Sequence, residues 1–246
     1  MSGHSKWATI KHKKGIADAK RGQKFTKLIK EITVAAKSGA DPEGNARLRT
    51  AILKAKAENM PKDNIDRAIK KGSGELGNAT FYELTYEGYA PGGVAIIIDT
   101  LTDNKNRTAA DVRSTLTKLG GSLGATGCVS YMFQTKGVIT YDGEKYTEDQ
   151  ILEAALENGA EDVSSEDGVI EVTTSPADFA QVLEAMQAAG FEQDSADISR
   201  VADQMVKLDN EKANKVMNIV NRLEDLDDVQ QVSTNLELPD DFQEEE

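Results

Sequence analysis

An α+β fold in three domains is what this 246-residue sequence predicts: an N-terminal three-helix domain, then two ferredoxin-like α/β sandwich modules, one inserted in the other. Three observations lead there. The length exceeds one average domain, so more than one hydrophobic core is expected. Apolar residues recur at three- and four-residue steps in the first part of the chain, and after residue 80 give way to β-branched runs separated by helical stretches. The charge divides at the same place: residues 1–71 hold 18 Lys and Arg against 7 Asp and Glu, whereas residues 72–246 hold 11 against 35.

The helical part is legible from its stops. From Asp18, the residues Phe25, Leu28, Ile29, Ile32 and Ala36 form one apolar face with Lys24, Lys27, Lys30 and Lys37 interleaved. Ser38-Gly-Ala-Asp-Pro-Glu-Gly ends that helix, and Asn45 caps a second one carrying Leu48, Ile52, Leu53 and Ala57. Met60-Pro61 stops the second, and a third spans Lys62 to Lys71 with Ile65, Ala68 and Ile69 inward. The Gly-rich stretch from Gly72 to Asn78 is a linker, which closes a basic helical domain over residues 1–79.

Beyond it, Phe81–Tyr89 and Val94–Leu101 flank a Pro91-Gly-Gly turn and form a hairpin. A helix follows Thr102–Thr108 with Ala109, Val112, Leu116 and Leu119 inward, and a glycine-rich loop delivers a strand at Cys128–Phe133, giving ββαβ. Next come a strand at Val138–Tyr141, a helix at Glu148–Asn158, a hairpin of Asp162-Val163 with Val169–Val172, a helix at Ala177–Ala189 and a strand near Asp197–Val201. That order is βαββαβ, the split-βαβ pattern of a ferredoxin-like module. A strand near Val206, a helix at Asn210–Leu223 and a strand at Val229–Val232 supply what the ββαβ unit lacks for a comparable sandwich. Residues 135–203 are therefore read as an insertion in a discontinuous domain of residues 80–134 and 204–238, with an acidic tail at 239–246.

Several function classes fail on context. Gly120-Gly-Ser122-Leu-Gly124 has nucleophile-elbow spacing, but a helix precedes it and both histidines, His4 and His12, lie upstream. Gly72-Ser-Gly74-Glu-Leu-Gly77 has dinucleotide-fingerprint spacing, yet it follows a helix and opens none. No phosphate loop ending in Gly-Lys-Ser/Thr occurs, and one Cys with two His does not make the usual closed zinc site. Acidic pairs such as Glu166 with Asp162 or Asp167 are solvated charges unless a pocket desolvates them. No enzyme activity, cofactor or metal is expected. No apolar run spans a bilayer, the N-terminus lacks a secretory signal's apolar stretch, and Cys128 has no partner for an intrachain disulfide. A cytoplasmic location fits these features.

The cations point to nucleic acid. His4, Lys6, Trp7, Lys11, His12, Lys13, Lys14, Lys20, Arg21, Lys24, Lys27 and Lys30 crowd the first thirty residues around the lone acid Asp18. Phosphate neutralisation needs that density, and an aromatic within it stacks on a base. Trp7 equally suits packing on the helical domain. Asn104, Lys105, Asn106, Arg107 and Arg113 form a second cationic, amide-rich site suited to phosphate or base-edge bonds, and the same residues also suit a capped helix start. Charge alone would turn the basic end toward a polyanion and the acidic modules away from it.

Gly3-His-Ser-Lys-Trp7, Tyr86–Gly93, Asp103–Thr108 and Gly159–Val163 resemble the corresponding motifs of the YebC/PmpR family. The resemblance spans residues 1 to about 236. It implies three domains, no catalytic residue, and a cytoplasmic DNA-binding transcriptional regulator. Mitochondrial relatives activate translation, and bacterial ones have been linked to ribosomes stalled on proline-rich sequences. Three readings follow: DNA as partner, ribosomal RNA as partner with relief of stalling, or a protein-only adaptor whose acidic modules hold a protein partner. None involves a membrane.

Overall fold

The computed structural model describes residues 18–77, 80–166, 168–239 and 241–242, with side chains from Gly22 onward. Helices α1 (Asp18–Ala35), α2 (Ala46–Ala57) and α3 (Lys62–Gly72) form the first unit. Asn45 sets the angle between the first two. Its Oδ1 accepts the Leu48 N–H at 3.0 Å to cap α2, while its Nδ2 donates to the carbonyls of Ala35 and Gly39 at the end of α1. Ile32, Leu48, Ala51, Ala55, Met60, Ile65 and Ala68 close the core, with Phe25, Leu28 and Ile29 at its margin. The periodicity read for α1 and α3 is the one that packs, whereas on α2 the core takes Ala51 and Ala55 beside Leu48, Ala57 is exposed and Leu53 turns to another core. The α1–α3 crossing depends on a glycine, because a Cβ on Gly72 would lie 2.2 Å from the Thr33 carbonyl oxygen.

Strands β1 (Tyr82–Ala90) and β2 (Val94–Thr102) form the hairpin, and helix α4 (Lys105–Lys118) follows. With β3 (Ser122–Leu123) and β9 (Val229–Thr234) they make an antiparallel sheet of order β3-β1-β2-β9. Helices α4 and α7 (Asn210–Glu224) cover one face, where Ile96, Ile98, Val112, Leu116, Val216 and Val220 meet.

Strand β4 (Phe133–Asp142), helix α5 (Glu148–Glu157), strands β5 (Asp162–Glu166) and β6 (Val169–Thr174), helix α6 (Phe179–Ala188) and strand β7 (Ser195–Ala202) build the second sheet, of order β5-β6-β4-β7. Both sheets carry two helices on one face. They reach that layering by different routes, since the hairpin fills the centre of the first sheet and β6 with β4 the centre of the second. Strand β8 (Val206–Lys207), expected with the first sheet, instead pairs in parallel with β10 (Leu236–Glu237).

The strand expected at Cys128–Phe133 does not form. Residues Ser130–Met132 make a 3-10 turn, β4 begins only at Phe133 in the other sheet, and the two-residue β3 takes the edge of the first. The cause is Glu87. Its buried carboxylate accepts the N–H groups of Gly127, Val129 and Ser130 at 2.8–2.9 Å, so those donors converge on one side chain instead of forming a ladder. Burial alone would raise the Glu87 pKa, but these backbone bonds outweigh it and hold the carboxyl below its usual range.

The two sheets meet along a seam. Ala95 and Ile97, on the face of β2 away from α4 and α7, pack with Val129 and Phe133. Arg200 of β7 grips Asp99 of β2 through two bonds of 2.9 and 3.0 Å, and Gln231 of β9 donates to Ser199.

Candidate nucleic-acid interface

Of the nucleic-acid-binding candidates read from the sequence, His4, Lys6, Trp7, Lys11, His12, Lys13 and Lys14 lie outside the described residues, as do the side chains of Lys20 and Arg21 on α1. The remaining three cations of α1 are engaged within the chain. Lys24 pairs with Glu58 of the same helical unit at 3.1 Å. Lys27 donates to the Glu224 carbonyl at 2.7 Å, and Lys30 to the Asp227 carbonyl and Asp228 Oδ1, both at 2.9 Å. A sequence reading sees these lysines as a solvent-facing row. In the fold, two of them rest on the loop after α7, at the negative end of that helix.

The second predicted site is split by role. Asn104 caps α4 by accepting the Arg107 N–H at 3.1 Å, so the capped-helix reading of this residue holds. Lys105 lies over the Tyr82 ring, 4.1 Å from its centroid. Arg107 reaches Asp103 at 2.9 Å and Asp228 at 2.6 Å, while Asn106 and Arg113 face solvent.

Asp228 is the residue that sequence reasoning missed. Its side chain is 9 % exposed, and it accepts from Lys30 of α1, Arg107 and Thr108 of α4 and Thr102 of β2. Burial pushes its carboxyl up, but the bonds from Arg107, Lys30 and Thr108 more than reverse that and hold it at about 2. Lys30 and Arg107, 77 positions apart in sequence, thus share one carboxylate. Lys30, at the end of the first cationic segment, therefore adjoins Arg107 of the second in space. Nothing local marks Asp228 among its acidic neighbours Asp225 and Asp227.

Other contacts fix the helical unit beside the sandwich. Arg47 of α2 bridges Glu31 of α1 and Glu83 of β1, with the Glu83 contact bidentate at 2.9 and 3.0 Å. Burial opposes the Arg47 charge, but its bonds to Glu83 and Glu31 prevail and raise its pKa. Lys54 pairs with Asp197 of β7. On α3 the cations Lys62, Arg67, Lys70 and Lys71 are exposed, and among the described contacts none is ion-paired. They are a further basic surface that the sequence reading assigned only to a helix.

Comparison with known proteins matches this arrangement along nearly its full length. Residues 5–75 match the model described as the TACO1/YebC protein N-terminal domain, and residues 81–236 match the one described as the TACO1/YebC second and third domain. The chain belongs to the TACO1/YebC family. A relative in Treponema denticola is 64% identical over 99% of both chains, and one in Treponema pallidum is 60% identical over 97% of this chain and 98% of its own. A third, in Geobacter sulfurreducens, is 56% identical over 97% of this chain and 96% of its own. All three bear the name "probable transcriptional regulatory protein". The crystal structure of a conserved hypothetical protein from Aquifex aeolicus shares the fold at a TM-score of 0.83 with 48% identity, covering 93% of this chain and 95% of that one. Among the described residues of this TACO1/YebC member, no helix is long and apolar enough to cross a membrane, and no group of three or more His, Cys, Asp or Glu is placed to hold a metal ion.

Proposed function

We propose that this TACO1/YebC member is a non-enzymatic regulator of gene expression that grips the phosphate backbone of DNA through its basic helical end. The observation that carries the reading is the meeting of α1 and α4 at Asp228, which sets Lys30 of the first cationic segment beside Arg107 of the second. The strongly acidic remainder disfavours the opposite orientation on the same ligand. The name carried by the treponemal and Geobacter relatives agrees with this role. Phosphate contacts position a protein without reading sequence, so base selection falls to a smaller set of groups, for which the exposed Asn106 and Arg113 have the right chemistry.

The test is a salt titration of binding to a mixed-sequence DNA duplex. Replacing Lys11, Lys13 and Lys14 by Ala is expected to weaken binding and flatten the logarithmic salt slope by roughly 0.9 for each lost contact. Lys105→Ala with Arg113→Ala is expected to flatten it further. An unchanged slope in both variants refutes the assignment, and a steeper dependence on an equivalent ribosomal RNA helix than on DNA moves it to translation.

A further inference from the structure

We infer that the acidic end of α7 with the loop after it, residues 224–228, is an internal stand-in for nucleic-acid phosphate that occupies one cationic face of α1 and must be displaced before that face can bind a phosphodiester backbone. The inference rests on the nucleic-acid reading above and names how that same site is regulated.

Three features of the contact carry it. Gln23, Lys27 and Lys30 stand at i, i+4 and i+7 on α1, so they share one face of the helix. All three donate to a single short segment: Gln23 to the Asp225 carbonyl and to Asp227 Oδ1, Lys27 to the Glu224 carbonyl, and Lys30 to the Asp227 carbonyl and Asp228 Oδ1. A row of oxygens on a chain of negative charge, at the negative end of a helix, is also what a phosphate backbone presents. The acceptors could therefore be exchanged for phosphate oxygens without leaving the donors bare.

The second feature is that the helical unit keeps a core of its own. The core of the helical unit is built from its own residues, Phe25 to Ile69, and does not merge with the core beneath α4 and α7. Leu53 of the unit packs against another core, beneath α5 and α6. Hydrogen bonds and ion pairs also attach the unit, including Arg47 to Glu83 and Lys54 to Asp197. Exposed contacts of that kind are weakened by salt and by competing polyanions, and the more buried Lys30–Asp228 pair less so.

Third, part of the charge on this segment faces solvent. Glu224, Asp225, Asp227 and Asp228 place four carboxyl groups in five residues, and the side chains of Asp225 and Asp227 lie on the exposed part of the loop. The bonds from α1 use the carbonyls, Asp227 Oδ1 and Asp228 Oδ1. The exposed acids add a field that repels phosphate from the face they cover.

The experiment uses the full chain with Cys128→Ser, Gln23→Cys and Asp227→Cys, assayed before and after closing the cysteine pair with a short bismaleimide. Probes are a mixed-sequence DNA duplex and a ribosomal RNA helix, each titrated with salt. The closed form is expected to bind about tenfold more weakly than the open form, as for a ligand restricted to a minor competent state. Its salt slope should be lower by roughly 1.8, for the two withheld lysines. A second variant, Asp225→Asn with Asp227→Asn, alters exposed acids with no core contact and is expected to bind severalfold more tightly than wild type. Equal affinity and slope in closed and open forms overturn the inference while leaving nucleic-acid binding intact. Absence of binding to both probes by wild type and by every variant overturns the parent reading and this one with it.

Discussion

Replacing Asp228 with Asn keeps the shape of the side chain and removes the charge that Lys30, Arg107, Thr102 and Thr108 converge on. Holding a carboxyl at about 2 when its ordinary value is 3.8 corresponds to about 2 kcal/mol of folding stability at neutral pH. The substitution also leaves two cations facing an amide, a loss that reaches about 3 kcal/mol in fully buried pairs. Arg107 is 49 % exposed and keeps its bond to Asp103, so roughly 2 kcal/mol is the expected cost for Asp228→Asn. The sign with pH follows from the depressed value. Stability from this group is complete above its unfolded pKa near 3.8 and disappears as pH falls through about 2. The difference between wild type and Asp228→Asn, measured by urea unfolding followed by far-ultraviolet circular dichroism, should therefore be constant from pH 7 to 5 and shrink toward pH 2. A double-mutant cycle with Lys30→Met should show coupling above about 0.5 kcal/mol. A difference that persists undiminished at pH 2, or a cycle with no coupling, would refute the account of Asp228 as a charged hub.

Two further substitutions probe the elements around it. Glu87→Gln exchanges a carboxylate that accepts three N–H bonds for an amide with one acceptor oxygen, and should cost about 2 kcal/mol. It should also speed thiol labelling of Cys128, whose reactivity is suppressed by burial and by the nearby Glu87 charge; unchanged labelling would show that the loop is held by something else. Gly72→Ala is stabilising in an ordinary helix interior by about 1 kcal/mol. Here the new Cβ would meet the Thr33 carbonyl at 2.2 Å and the Ala36 Cβ at 2.7 Å, so thermal unfolding should instead show a loss of about 2 kcal/mol or more.

Much of the fold can be read from local pattern. The helices from Asp18, Asn45 and Lys62 announce themselves by apolar spacing and by stops at Gly39 and Pro61, and the hairpin at Pro91 by its turn residues. The strand expected at Cys128–Phe133 shows where pattern misleads. Its residues have strand propensity, but their N–H groups are claimed by Glu87, some forty positions earlier. The same holds for the site. Residue type and density single out the basic N-terminal segment and the Asn104–Arg107 loop, yet no local signal tells a lysine that meets solvent from one that meets a carbonyl 197 residues away, as Lys27 and Lys30 do.

The amino-acid sequence by itself determined the separation of charge, the helical and extended segments and the family, because each depends on residue identity and on neighbours within a few positions. The tertiary structure decided which cations are spent within the chain. It seated α1 on the loop after α7, placed Lys30 and Arg107 on one buried carboxylate, and left the α3 cations facing solvent. The reason is physical: a charge's free energy is set by what surrounds it within a few ångströms, and for these side chains those surroundings come from segments distant in sequence.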